Sequence, residues 1–300
     1  MSAVADQHMF AVRDYDLAAT LASGQAFRWR ERDDWWEGVV ADRWVRLRQT
    51  DACVIAQTSI PTSDWEWLAH YLQIEVDLAS VLSNFPADGP MHTAVTACRG
   101  LRLLRQDPWE CLASFILSST KQIVQIQQIV ALLCERFGVA LPVHPGHEPV
   151  FSFPSTARLA ACAESDLRGC KMGFRAPNLL RTAQMISSAD VNLASLHTRT
   201  VEEAREELVK LPGVGNKIAN CVLLFAYGFQ QAFPVDVWVM KALRELYYPK
   251  RRVSAKRLAR FTATYFGVNA GYAQQYLFHY MRTRNLELRN SRTKKETKLP

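Results

Sequence analysis

The chain has 300 residues, with 36 lysines and arginines against 29 aspartates and glutamates, for a formal charge of +7 at pH 7. That length accommodates two domains of ordinary globular composition, and the charge favours an acidic partner, most simply nucleic acid. Seven cysteines, an odd number in mostly apolar settings, fit reduced thiols rather than a disulfide framework, and no apolar run reaches membrane-spanning length.

Residues 1–10 lack the apolar core of a secretion signal, so an intracellular location is expected. From 26 to 58 apolar and polar residues alternate: Phe27-Arg28-Trp29, then Trp36 to Val40, then Trp44 to Leu47, then Val54-Ile55-Ala56. Asp33-Asp34 and Ala41-Asp42-Arg43 supply turns, which predicts an antiparallel meander. From Asp64 the period becomes helical, and after Pro86 and Pro90 nearly everything reads as helix. Cys111, Leu112, Phe115 and Ile116, then Ile123, Ile126, Ile129, Val130 and Leu133, follow the 3–4 spacing of two buried helix faces. Residues 144–154 form a Pro/Gly-rich loop in which His144 and His147 are a poor metal signal and read as solvated. Helices follow at 156–163, 166–169, 176–188, 200–210, 217–227, 237–247, 255–266 and 271–283, and the polar, basic residues 290–300 read as disordered. The pattern gives an α+β chain: a small antiparallel β domain over 1–88, a larger all-helical domain over 89–288, and a tail over 289–300.

Within the helical domain a single segment stands out. A helix ends at Lys210, a tight Leu211-Pro212-Gly213-Val214-Gly215 turn follows, and a second helix opens at Asn216 with Lys217 in its first turn. Gly213, Val214 and Gly215 can let a phosphate approach the backbone, while the helix start offers unpaired N–H groups and a positive dipole end. The same positive end disfavours charge on the Lys217 amine and leaves it nucleophilic. Asp236 follows a proline and caps the next apolar helix. A Gly-x-Gly turn between helices is by itself common, so it is the ordered set of turn, lysine and aspartate that points to chemistry on DNA.

Residues 211–238 resemble the helix–hairpin–helix–Gly/Pro–Asp superfamily of DNA glycosylases, with Lys217 and Asp236 at the family's two catalytic positions. Five further stretches resemble the 8-oxoguanine DNA glycosylase family within it: 24–30, 106–112, 115–119, 173–176 and 270–274, in family order. With no Cys-x-x-Cys pair and no cysteine after Cys221, the chain cannot build the iron–sulfur loop usual in endonuclease III and the adenine glycosylases. No metal and no cofactor is expected. The resemblance implies a monomeric bifunctional glycosylase and lyase acting on damaged double-stranded DNA, located with the genome in a nucleus or a bacterial nucleoid.

The resemblance also implies individual roles. Lys217 would attack the sugar, and Asp236, held anionic by the backbone donors of its cap, would steady the positive charge that develops. Cys221, one helical turn beyond Lys217, and Phe278 would sandwich the flipped base; Gln274 would read its Watson–Crick edge, and the Gly24 carbonyl would accept from the N7–H that 8-oxoguanine has and guanine lacks. Phe174 corresponds to the wedge that fills the vacated stack, and Arg175 to a contact with the opposite cytosine. Two departures, Thr120 for an asparagine and Gln125 for an arginine, remove contacts to that cytosine, and Trp238 replaces a histidine common after the aspartate. Without the resemblance, Cys221 and Phe278 read as core residues, Gln274 as a solvated position, Gly24 as a positive-φ turn and Asp236 as a structural cap. A non-catalytic DNA-binding module, or a glycosylase for another oxidised or alkylated purine, are the competing readings.

Overall fold

The computed structural model describes residues 6–249 and 253–296. Five antiparallel strands, β1 (Asp6–Ala11), β2 (Arg30–Arg32), β3 (Trp35–Val40), β4 (Arg43–Gln49) and β5 (Cys53–Thr58), form one sheet in the order β1-β5-β4-β3-β2. The two tight turns lie where the sequence predicts them: Asp33 and Asp34 adopt φ of 47° and 63°, and Ala41 a φ of 51°. Such left-handed turn residues match the twist of the strands they join.

The sequence pattern does not reveal β1, which pairs with β5 from Asp6↔Thr58 to Ala11↔Cys53. Its alternation is disguised, because Met9 faces solvent at 56% exposure while His8 turns inward to stack on Trp65, with ring centroids 5.5 Å apart. Nor does it reveal a short helix, Leu17–Ala22, capped by Asp16. The run Phe27–Trp29 reads as a strand in the sequence, but pairing starts only at Arg30. Its alternation is real but serves two cores: Phe27 packs into the helical core and Trp29 into the sheet's core.

Helices Pro108–Leu117 and Ile123–Phe137 lie at the centre of the larger core, with Leu112, Ile116, Ile129 and Leu133 almost wholly buried. Burying such side chains stabilises by about 1.5–3 kcal/mol each. Asp107 starts the first of these helices by accepting from the Glu110 N–H at 2.8 Å, and Pro108 follows where its missing N–H costs nothing. The loop after the second helix contains a small hairpin, Ala140–Leu141 with Val150–Phe151. It is not simply solvated: the His144 and His147 rings meet Trp44 edge-on at 4.9 and 5.1 Å, and His147 Nε2 lies 3.1 Å from Glu37 Oε2. The loop is a strap from the helical domain across the outer face of the sheet.

The last helix spans Ala270–Glu296 and therefore continues into the tail expected to be disordered. No glycine or proline interrupts Asn290 to Glu296, so a helix anchored by its buried first turns propagates through it without a new nucleation cost. Residues 297–300 of that tail lie outside the described residues. Among the described residues no helix is long and apolar enough to cross a membrane.

Candidate active site

The helix Val201–Val209 ends at Lys210, and the Leu211-to-Gly215 turn leads into the helix Asn216–Val222, which widens into π-type turns up to Tyr227. Gly213 adopts φ of +77°, where an L side chain is strained, and a Cβ there would lie 2.7 Å from Asn178 Nδ2. Gly215 is different: its φ is −96°, and a Cβ would meet nothing within 4 Å. It caps the helix without a side-chain hydrogen bond, so the first-turn N–H groups face outward from an open backbone. Val214 is buried beneath the turn.

Lys217 is half-buried and points toward the end of the helix Pro108–Leu117. Its Nζ donates to Ser118 Oγ at 3.3 Å and sits 5.1 Å from the centroid of the Phe115 ring. Ser118 in turn donates its hydroxyl hydrogen to the Phe115 carbonyl at 2.7 Å, which leaves its lone pairs to accept from Lys217. Cys221 is buried on the same helix face, one turn on. Burial pushes its thiol up to about 11 against the opposing charge of Lys217.

Asp236 caps the helix Val237–Ala242 by accepting from the Val239 N–H at 2.8 Å. Burial raises its carboxyl above the usual aspartate value, outweighing the Val239 amide and the Lys217 charge, both of which pull it down. The cap donors favour the anion, as expected, but desolvation of a mostly enclosed carboxylate costs more than they return. Lys217 acts electrostatically on both Cys221 and Asp236, which places the three side chains in one neighbourhood. Asp236 also lines a surface hollow with Met240, Lys241 and Arg244.

The C-terminal helix presents Gln274, Phe278 and Arg282 at four-residue spacing on one stripe. Gln274 is 3% exposed, not solvated, and its Oε1 has no hydrogen-bond partner among the described residues. A buried amide oxygen left unpaired is costly, and it leaves Gln274 Oε1 with free acceptor capacity. Phe278 is partly buried against the helical core. Opposite this stripe runs the loop from Ala22 to Gln25. Gly24 has φ of +79°, the left-handed region that favours glycine, and a Cβ there would lie 2.6 Å from Ile123 Cδ1, the movable end of a side chain. The Ala22 carbonyl accepts from Arg282 Nη1 at 2.9 Å, the Ser23 carbonyl from Gln275 Nε2 at 3.1 Å and the Gln25 carbonyl from Gln106 Nε2 at 2.7 Å. Among the described residues nothing donates to the Gly24 carbonyl between them.

Phe174, the residue expected as a wedge, is 60% exposed. Arg175 is not so free. It is 3% exposed and donates through Nε to the Ser119 carbonyl at 2.8 Å, through Nη1 to the Met172 carbonyl at 3.1 Å and through Nη2 to Thr120 Oγ1 at 2.6 Å. Nη2 also donates to the Ser119 carbonyl, and the guanidinium sits 4.2 Å from the Phe174 ring centroid. Thr120, with φ of +57°, therefore serves as an internal acceptor for Arg175. Gln125 is exposed, its Oε1 accepting from the Gln122 N–H at 3.1 Å at a helix start.

Ser118, Gln275 and Arg282 carry no role in the sequence reading. The signal for Arg282 is present, because it continues the Gln274–Phe278 spacing by one more turn. Ser118 lies far from Lys217 in sequence, and only the packing of two helices joins them.

Residues 9–112 match the N-terminal domain of 8-oxoguanine DNA glycosylase, and residues 113–265 match the HhH-GPD superfamily of base excision DNA repair proteins. The chain belongs to the 8-oxoguanine DNA glycosylase family. It is a DNA glycosylase with lyase activity. Among its relatives, the N-glycosylase/DNA lyase OGG1 of Arabidopsis thaliana is 33% identical, over 87% of this chain and 76% of the relative. The Clostridium acetobutylicum 8-oxoguanine glycosylase/lyase, solved with double-stranded DNA containing cytosine opposite 8-oxoguanine, superposes with a TM-score of 0.87 at 30% identity, covering 95% of this chain and 99% of that one. MBOgg1, solved with a low-affinity DNA ligand, gives 0.88 at 30% identity, over 95% and 100% of the two chains.

Proposed function

We propose that this glycosylase excises 8-oxoguanine from duplex DNA and then nicks the strand through a lysine-linked intermediate. The observation that carries this reading is the Lys217–Asp236 pair, set on two neighbouring helix starts within electrostatic reach of each other. The damaged nucleotide leaves the stack, at a cost of a few kcal/mol, and Phe174 fills the gap. The base enters between Cys221 and Phe278, where Gln274 Oε1 accepts from its Watson–Crick edge and the Gly24 carbonyl accepts from N7–H. With guanine that carbonyl would be left unpaired, a difference worth a few kcal/mol.

The Lys217 amine then bonds to C1′ as the C1′–N9 bond breaks and its electron pair leaves with the base. Ionised Asp236 stabilises the positive charge that builds on the sugar. Ring opening gives a Schiff base between Lys217 and C1′, and loss of a C2′ proton expels the 3′ phosphate by β-elimination. Backbone N–H groups of Gly213 and Gly215 grip a phosphate without reading sequence, while the Val214 N–H donates to the Leu211 carbonyl at 3.1 Å and holds the turn's shape. The enzyme works as a monomer, in the compartment that holds the genome.

The test is borohydride trapping on a duplex with 8-oxoguanine. Wild-type enzyme gives a covalent adduct, while Lys217→Gln gives neither adduct nor excision and binds the duplex within a few-fold of wild type. Adduct formation persisting in the variant would overturn the nucleophile. In the same assay with each opposite base at fixed salt, preference for cytosine is weak, because Thr120 and Gln125 lack the missing contacts and Arg175 is engaged internally.

A further inference from the structure

The Ala22-to-Gln25 loop and the C-terminal helix lie at opposite ends of the sequence, yet each supplies one side of the proposed lesion pocket: the Gly24 carbonyl from the loop, Gln274 and Phe278 from the helix. Reading a base needs both sides in a fixed register. Two side chains of the helix reach the loop backbone directly. Gln275 Nε2 donates to the Ser23 carbonyl at 3.1 Å, and Arg282 Nη1 donates to the Ala22 carbonyl at 2.9 Å. Arg282 Nη1 would also lie 3.5 Å from a Cβ built on Gly24, so its guanidinium packs against the glycine itself. Among the described residues Arg282 has no carboxylate partner. A desolvated guanidinium without a counter-charge is costly, and burial lowers its proton affinity. Helix stability alone does not call for such a group.

We propose that Arg282, assisted by Gln275, is a specificity-determining positioning residue that clamps the Gly24 loop to the C-terminal helix and so sets where the Gly24 carbonyl meets the base. This rests on the reading of Gly24 as the group that distinguishes 8-oxoguanine from guanine. The clamp holds the Ala22 and Ser23 carbonyls ahead of Gly24, Gln106 holds the Gln25 carbonyl after it, and the Gly24 carbonyl itself is left open. Without Arg282 the loop relaxes, and the carbonyl loses its fixed distance to N7–H.

The consequence separates two activities of one enzyme. An abasic site has no base to read, so strand nicking at a preformed abasic site does not depend on the clamp, whereas excision of 8-oxoguanine does. The experiment measures, for wild type, Arg282→Met, Arg282→Lys and Gln275→Leu, single-turnover excision from 8-oxoguanine duplexes, competition by undamaged guanine duplexes, nicking of abasic duplexes, and thermal melting. Methionine keeps much of the packed stem without the donors, and lysine keeps charge and one donor. Arg282→Met should lose preference for the lesion over guanine by roughly tenfold, as for one lost charged hydrogen bond. It should nick abasic duplexes at the wild-type rate, Arg282→Lys should recover some of the preference, and Gln275→Leu should move in the same direction as Arg282→Met.

Arg282→Met keeping the wild-type preference would overturn the clamp while leaving the reading of Gly24 intact. Equal losses of excision and abasic nicking would mark Arg282 as a structural residue and overturn it too. A wild-type enzyme with no preference for 8-oxoguanine over guanine would instead remove the reading of Gly24 on which the clamp depends.

Discussion

Asp236 has two demands on one carboxylate. As a helix cap it must accept from the Val239 N–H, which it does at 2.8 Å, and as the proposed partner of a cationic sugar it must be ionised. Burial works against ionisation and raises its pKa. The carboxylate form exists above that raised value and is lost as pH falls through it, so excision should begin to fail at a higher pH than an ordinary aspartate would allow. Single-turnover excision measured against pH, with abasic nicking alongside, should show an acid limb in the wild type. Asp236→Asn keeps the cap, since asparagine caps about as well, and should lower excision roughly a hundredfold with little change in DNA affinity or melting temperature. It should also remove the limb. A limb of unchanged position in Asp236→Asn would assign the titration to another group and return Asp236 to a purely structural cap.

The hairpin shows how two glycines in one motif do separate work. Gly213 is required by the fold: its positive φ and the nearby Asn178 amide both oppose a side chain. Gly215 has ordinary φ and open space, so nothing in the folded protein requires it to be glycine. Gly213→Ala should therefore lower stability by about 1–2 kcal/mol, read by thermal or denaturant unfolding. Gly215→Ala should melt like the wild type and bind duplex DNA more weakly at the same salt, because its Cβ would occupy the space through which a phosphate approaches. If Gly215→Ala binds normally, the phosphate does not pass over that position. The motif is legible in the sequence because hairpin, lysine and aspartate are contiguous and their spacing is set by local turns and caps. The meander is legible because its turns carry their own chemistry, as at Asp33-Asp34. What stays illegible depends on partners distant in the chain: β1, whose inward face sets a histidine beside Phe10, the Phe27–Trp29 run shared by two cores, and the inward lock of Arg175 on Thr120. The same reason hides what Arg282 does: its helical spacing is visible in the sequence, but its partner lies at the other end of the chain.

At the scale of the whole molecule, sheet, helices and strap meet at one ion pair. Arg28, just before β2, lies 3.5 Å from Glu110 of the helix Pro108–Leu117, and it also donates to the Phe151 carbonyl in the strap. The strap is held to the sheet at other points as well: Ser59 Oγ donates to the Pro142 carbonyl at 2.5 Å, and Arg32 pairs with Glu148 at 2.8 Å. These outer contacts are exposed and each is worth little. The Arg28–Glu110 junction is more enclosed, and burial pushes the Glu110 carboxyl from 4.5 up to about 7 despite the nearby guanidinium. A folded-state value above the unfolded one means that the native protein binds this proton more tightly. Its contribution to stability is therefore complete below about pH 4.5 and is lost as pH rises to about 7. Glu110→Gln is neutral throughout and cannot show that loss. The difference in melting temperature, wild type minus Glu110→Gln, should accordingly fall between pH 5 and pH 8, by roughly 2 °C for each 1 kcal/mol of linkage in a chain of this size. Taking the difference cancels every other titrating group that the two proteins share. Abasic nicking at one fixed pH, where both proteins are folded, should be unchanged, because Glu110 lies at the junction and outside the proposed pocket. A difference that stays flat or rises with pH would mean that the Arg28 charge, not burial, governs Glu110, and that the junction holds its carboxylate ionised.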